Sequence, residues 1–301
     1  MLAITGGTGF VGGHLVGRAV AAGHRVRALA RRPQAEVAQV TWIAGALDQA
    51  DSLATLVAGA DAVIHVAGVV NAPDRAGFAA GNIAGTQAVI AAAEAAGIRR
   101  FVHVSSLAAR EAGLSNYGWS KAGAEAAVAA AIALDWTMVR PPAIYGPGDR
   151  EMLELFRMAR RGVVPLPPAG RLSLIHVDDL ARLLLALAEG DACPHAIIEP
   201  DDGVADGWDH RDLARAIGRA VGRRAVPLPV PAALLRLGAF ADGFVRRGRA
   251  KLTPDRVRYF THRDWVVRSR PPATLWRPAI DTAEGLRRTA EWYVGAGWLR
   301  A

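Results

Sequence analysis

The chain has 301 residues, 51% of them apolar, and carries a formal net charge of +8 from 36 basic and 28 acidic side chains. That length holds one large domain or two modest ones with an ample core. Its single cysteine, Cys193, excludes an internal disulfide, and no apolar run reaches the roughly 18 residues that a membrane span needs.

The first elements follow at once. Leu2–Thr5 is a short apolar run, and Thr5-Gly6-Gly7-Thr8-Gly9-Phe10-Val11-Gly12 comes directly after it. His14 to Val20 then reads as a helix. Glycines at a strand-to-helix turn suit a dinucleotide: one permits the tight turn, one lets the backbone approach a pyrophosphate, and one lets helix pack on strand. The helix N-terminus adds backbone N–H groups and a positive dipole end for the phosphates. Gly6, Thr8, Gly9, Phe10, Val11 and Gly12 are therefore assigned to cofactor binding. A strand beginning at residue 2 leaves no room for a signal peptide, so a cytoplasmic enzyme is expected.

Further strand-like runs lie at Arg25–Ala30, Ala62–Val66, Phe101–Val104 and Thr137–Val139, separated by helical runs such as Asp51–Val57, Gly85–Ala95 and Lys121–Leu134. Alternating strands and helices predict an α/β fold, a Rossmann-type doubly wound parallel sheet covered on both faces. Ligands of such sheets bind beyond the carboxyl ends of the strands. Gly6, Gly68, Ser106 and Pro141 all lie just past strand ends and can converge there. The composition changes near residue 146, and Pro147–Pro168 is rich in Pro, Gly and Arg. Asp178–Gly190 reads as a helix returning to the first domain. The expected division is a cofactor domain of 1–145 plus about 174–198, and a smaller substrate-binding region of about 146–173 plus 199–301.

Tyr117-Gly118-Trp119-Ser120-Lys121 places a phenol and an ammonium on one helix face. Lys121 and Lys251 are the only lysines among 36 basic residues. An ammonium is a compact charge whose pKa shifts readily, a role a guanidinium fills poorly.

Together these segments resemble the short-chain dehydrogenase/reductase superfamily, in its extended, epimerase/dehydratase-like branch. The resemblance rests on TGGTGFVG and YGWSK, on His65-Val66-Ala67-Gly68, on Asn82-Ile83-Ala84-Gly85-Thr86, and on Val104-Ser105-Ser106. It extends through Arg140–Gly148, His176–Ala181 and Glu284–Tyr293, in the family's order and over nearly the whole chain. It implies that Tyr117 exchanges the alcohol proton, that Lys121 favours the phenolate and holds the nicotinamide ribose, and that Ser106 orients the substrate oxygen. Ser105 competes with Ser106, since the pair leaves the register open by one. Asn82 would support the network; Ala67, Gly68, Pro141, Ala143 and Ile144 would border the cofactor. A homodimer is also implied.

The second strand ends in Ala30-Arg31-Arg32, where an NAD-preferring relative carries an acid for the ribose 2′-hydroxyl. Two guanidiniums suit a 2′-phosphate, so NADP(H) is expected over NAD(H), with Arg31 and Arg32 responsible. Ala46 replaces an Asp that often meets adenine, which leaves Leu47 to pack there. Leu107 and Ala108 follow Ser106 where sugar-nucleotide dehydratases carry acids, and Pro142 and Ala143 stand where epimerases often place Asn. Both departures favour a carbonyl/alcohol exchange on a relatively apolar small molecule: a steroid-like compound, an aldehyde or a ketone. Two alternatives stay open: a non-catalytic NAD(P)-binding sensor or assembly protein, and a sugar-nucleotide epimerase.

His65, His103 and His176 read as hydrogen-bonded strand-end histidines, and no spacing suggests a metal site. Arginine is spread along the chain without arginine–aromatic motifs, so no nucleic-acid partner is expected. Residues 236–270 hold ten basic groups against three Asp, with apolar residues between them. This segment is either a solvated helix face or a surface for an acidic substrate carrier or an anionic membrane.

Overall fold

The computed structural model describes residues 1–246 and 253–300, with side chains described to Ala239 and again from Thr253. Part of the basic segment 236–270, including Lys251, lies outside the described residues. The chain divides into two units. One is Met1–Pro141 with Asp178–Pro200 and Ser269–Arg277; the other is Pro142–Val177 with Asp201–Arg268 and Pro278–Ala301.

The first unit begins with β1 (Leu2–Thr5), α1 (Phe10–Ala21), β2 (Val26–Ala30), β3 (Val40–Ala44), α2 (Ala50–Val57) and β4 (Ala62–His65). It continues with α3 (Arg75–Phe78), a π-helical turn (Ala79–Ala84), α4 (Gly85–Ala95), β5 (Arg100–Val104), a 3-10 turn (Leu107–Glu111), α5 (Asn116–Ala130) and β6 (Asp135–Val139). The chain then forms β7 (Ala143–Tyr145), α6 (Leu153–Arg160), β8 (Val163–Leu166), β9 (Arg171–Leu172) and β10 (Leu174–His176). It returns through α7 (Val177–Glu189) and β11 (Ala196–Ile198). Among the described residues, seven strands make one sheet in the order β11-β6-β5-β4-β1-β2-β3, with every pairing parallel.

Central strands of such a sheet are covered on both faces, which is why β1 and β4 read as continuous apolar runs and are buried throughout. Leu53, Leu56, Val89, Phe101 and Leu134 fill the core on one face. Each such side chain contributes about 1.5–3 kcal/mol by leaving water. Strand order reverses between β1 and β4, because β1 pairs with β2 on one side and β4 on the other. This reversal opens a crevice at the carboxyl ends of the strands.

The second unit also contains β12 (Trp208–Asp209), α8 (His210–Ala220), β13 (Val226–Pro229), α9 (Ala232–Arg246), α10 (Pro254–Thr261), β14 (Asp264–Trp265) and α11 (Thr282–Gly295). Its core gathers Tyr145, Phe156, Leu213, Ile217, Leu286 and Tyr293, with the Phe156 and Tyr293 rings edge to face at 5.1 Å. Ser269–Arg277 groups with the first unit rather than with the substrate region in which the sequence reading put it. Hydrogen bonds hold it there, among them Glu199 N donating to Ser269 O at 2.7 Å, Arg182 Nη2 donating to Arg277 O at 2.7 Å and Trp276 Nε1 donating to Asp179 O at 3.1 Å. Among the described residues no helix is long and apolar enough to cross a membrane.

Candidate active site

The loop from β1 to α1 is built backbone against backbone. Gly6 has φ +74°, and a Cβ there would lie 2.6 Å from Ala67 N, in the loop after β4. A Cβ on Gly12 would lie 2.0 Å from Gly6 O. Gly9 N donates to the same Gly6 carbonyl at 2.9 Å. Gly9 caps α1 without any side-chain bond, and no acidic residue stands in the first turn. The helix end therefore keeps its positive dipole for an anion. Thr5 and Ala67 tie β1 to β4 at the switch point, with Ala67 N donating to Thr5 Oγ1 at 3.2 Å. Thr8, Phe10 and Val11 lie in this same loop and first helical turn. A backbone cradle that excludes Cβ atoms beside a helix N-terminus fits a dinucleotide pyrophosphate.

Tyr117 and Lys121 stand one turn apart near the start of α5. This helix begins five residues before the expected Lys121, because Ser115 caps it by accepting from Gly118 N at 2.9 Å. The Tyr117 ring lies 6.3 Å from Phe78. Lys121 is buried, and its ammonium donates to Val104 O at 2.9 Å. Burial pulls its pKa down to about 8, against the opposing pull of Glu125. Its Nζ lies 3.3 Å from the point where a Cβ on Gly68 would stand, and Asn82 Oδ1 lies 3.1 Å from that point. Asn82, buried in the π-helical turn, accepts from Val69 N at 2.6 Å and donates to Val69 O at 2.9 Å and to Ser120 Oγ at 2.8 Å. Asn82, Gly68 and Lys121 thus meet at one point, and Ser120 joins them to Tyr117 by donating to its carbonyl at 2.8 Å.

The adjacent serines face different partners. Ser105 is buried and donates to Glu125 Oε1 at 2.5 Å. Ser106 is half-buried and caps the 3-10 turn, accepting from Ala108 N at 3.2 Å. Glu125 also receives a fork from Arg140, with Nε at 2.8 Å and Nη2 at 2.6 Å. Arg140 reaches Glu199 at 3.6 Å, and so does Arg110. Glu125 and its buried network carried no motif in the sequence; its one signal is the position four residues after Lys121 on the same helix face.

His65 behaves as expected, held between Thr5 Oγ1 at 2.6 Å and Thr86 Oγ1 at 2.9 Å. His103 corrects the expectation. It is buried, neither ring nitrogen has a hydrogen-bond partner, and it stacks on His65 at 5.3 Å. Desolvation, with the nearby Lys121 charge, keeps the His103 ring neutral. His176 packs edge to face on Tyr145 at 5.2 Å. Arg31 and Arg32 are exposed just beyond β2. Leu47 packs against Gly85 at the start of α4, where a Cβ would meet its Cδ1 at 2.8 Å. Pro141 ends the first unit's segment after β6, while Ala143 and Ile144 belong to β7 of the second.

Comparison with known proteins adds four findings. Residues 6–189 match a family model described as NAD(P)H-binding. The chain is 39% identical to a ceramide reductase of Caulobacter vibrioides, over 99% of this chain and 96% of that protein. It is 31% identical to a 2-alkyl-3-oxoalkanoate reductase of Stenotrophomonas maltophilia, over 95% of this chain and 97% of that one. In fold it matches a human epimerase family protein solved with NADPH, with a TM-score of 0.75 at 21% identity, covering 96% of this chain and 99% of that one. The glycine cradle at the switch point and the end-to-end likeness to reductases agree: this chain belongs to the NAD(P)H-binding family and is an NAD(P)-dependent oxidoreductase of carbonyl/alcohol pairs.

Proposed function

We propose that the protein reduces a ketone on a long-chain, lipid-like molecule, with NADPH as the hydride donor. One observation carries the chemistry: the buried Lys121 ammonium stands against Gly68 and Asn82, one helical turn from Tyr117. NADPH would rest on the Gly6–Gly12 cradle and supply the hydride. As negative charge develops on the substrate oxygen, the Tyr117 hydroxyl delivers its proton to it. The Lys121 cation stabilises the phenolate left behind. Ser106, whose neighbour is engaged with Glu125, orients the substrate oxygen. Asn82 holds the loop after β4 through both Val69 bonds, and so keeps Gly68 beside Lys121.

The names of the two full-length relatives support the substrate class, since ceramides and 2-alkyl-3-oxoalkanoates both carry long alkyl chains. Leu107 and Ala108 after Ser106 argue against the acid pair that sugar-nucleotide dehydration would use. The test is NADPH consumption with a long-chain 3-oxo amide, a 2-alkyl-3-oxo acid, a steroid ketone and a short ketone, in wild type and Tyr117→Phe. Turnover of the long-chain ketones that falls about 100-fold or more in the variant supports the proposal. Turnover that survives Tyr117→Phe overturns the mechanism. NADPH binding without turnover of any ketone returns the sensor reading.

A further inference from the structure

The second unit exposes apolar side chains where a self-contained domain would bury them. Val226 is 58% exposed and Leu228 52% on β13; Leu234 is 57% exposed and Leu237 67% on the first turns of α9. Val163, paired with Val226 across β8 and β13, is exposed as well. Singly such residues are ordinary, but here they follow one another along a strand and the helix after it. The charge along this stretch of sequence is mostly positive, bounded by Asp212, which pairs with Arg215 at 2.9 Å, and by Asp242. From Leu213 to Ala241 the chain contains Arg215, Arg219, Arg223, Arg224 and Arg236 and no carboxylate. Arg223, Arg224 and Arg236 are exposed. The sequence then continues with Arg246, Arg247, Arg249 and Lys251, most of which lies outside the described residues.

We propose that Val226–Leu237 is a docking surface for an anionic lipid bilayer. Exposed leucines would enter the boundary between headgroups and acyl chains, and the arginines would lie among the headgroups. A strand-shaped protein partner fits less well. Val226 N and Val230 N both donate toward β8, to Gly162 O and Leu166 O, each at 2.8 Å. With strand alternation, residues 227 and 229 turn to the outer edge, and both are proline. That edge offers no N–H to an added strand at either position. Contact with lipid needs no such donors. No described helix could span the bilayer, so the contact is peripheral and reversible.

The experiment is co-sedimentation of the full chain with vesicles of phosphatidylcholine alone and of phosphatidylcholine mixed with phosphatidylglycerol. Wild type is expected to sediment with the anionic vesicles and to be released by salt. Leu234→Gln/Leu237→Gln should weaken binding about tenfold or more, by removing two exposed apolar side chains that would enter the bilayer. Arg223→Gln/Arg224→Gln should weaken it about fivefold per arginine. Turnover of a short, water-soluble ketone should be unchanged in both variants. Absence of binding to anionic vesicles overturns the proposal, as does binding indifferent to the leucine substitutions. A dimer in solution that the leucine variant dissociates overturns it too, by showing that a second copy covers the patch. Vesicle binding alongside failure to reduce any long-chain ketone leaves this surface standing and removes the substrate reading instead.

Discussion

Ser105 and Ser106 are neighbours in sequence with opposite engagements. The Ser105 hydroxyl donates to the buried Glu125 carboxylate at 2.5 Å, whereas the Ser106 oxygen accepts a backbone N–H from Ala108 at 3.2 Å. A donor committed to a buried carboxylate is poorly placed to hydrogen-bond a substrate, and an accepting hydroxyl keeps its proton to give. Ser106→Ala should therefore lower kcat about 100-fold, with a stability loss no larger than that of a cap, about 0.5–2 kcal/mol. Ser105→Ala should leave kcat nearly unchanged and cost about 1–3 kcal/mol of stability by removing one hydrogen bond to the buried Glu125 carboxylate, whose Oε1 keeps the bond from Arg140 Nε. Steady-state kinetics and denaturant unfolding of both variants decide it, and the opposite pairing would move the catalytic assignment to Ser105.

Lys121 makes stability depend on pH in a defined direction. Its pKa is about 8 in the folded chain against 10.5 for an ordinary lysine. Between those values the unfolded chain holds a proton that the folded one has released, so stability rises with pH across that window. Below about pH 8 both states are protonated, and the cost of burying the charge is constant and fully present. Measured by denaturant, wild type should gain about 3 kcal/mol relative to Lys121→Met between about pH 7 and pH 11. Parallel pH profiles for the two proteins would contradict this.

Arg31 and Arg32 stand exposed beyond β2, with no acid between Ala30 and Gln34 to receive a ribose hydroxyl. If they bind the 2′-phosphate, Arg31→Ala/Arg32→Ala should raise the Kd for NADPH about 10–100-fold, the worth of charge-assisted hydrogen bonds, and leave that for NADH unchanged. Fluorescence titration with both cofactors reads the ratio directly. An equal loss for both would mean that the arginines act only as a general positive field.

The pair Glu125 and Arg140 predicts a non-additive result. Glu125→Ala takes the fork partner from a half-buried guanidinium that keeps only Glu199, at 3.6 Å, and should cost about 2–3 kcal/mol. Glu125→Leu with Arg140→Met removes both charges and should recover much of that loss. Unfolding curves for the single and double variants test it. Additive losses would show that the two side chains do not act as a unit.

The sequence made the regular parts of the fold legible for physical reasons. β1 and α4 begin and end as expected, because glycines and a continuous apolar run bound them. By contrast, β3 has no counterpart in the sequence reading: it is an edge strand, partly exposed along its length, and lacks a clear apolar stripe. Tyr117, Lys121 and the glycine loop could be read because their spacing is local. The Glu125–Arg140–Glu199 network could not, since its members come from α5 and the ends of two strands far apart in sequence. His103 departs from the hydrogen-bonded expectation for a similar reason. Its position on β5 is visible in the sequence, whereas the lack of any donor or acceptor around its ring is a property of packing.

The contact of Gly12 with the Gly6 carbonyl has a consequence for the kinetics of cofactor capture. Because main-chain atoms touch there, the loop's shape does not wait on any side chain to find its rotamer. Rigid templates lose little conformational freedom when a ligand settles on them. The first encounter with a nicotinamide dinucleotide should therefore be a single-step capture, without a slow rearrangement of this loop behind it.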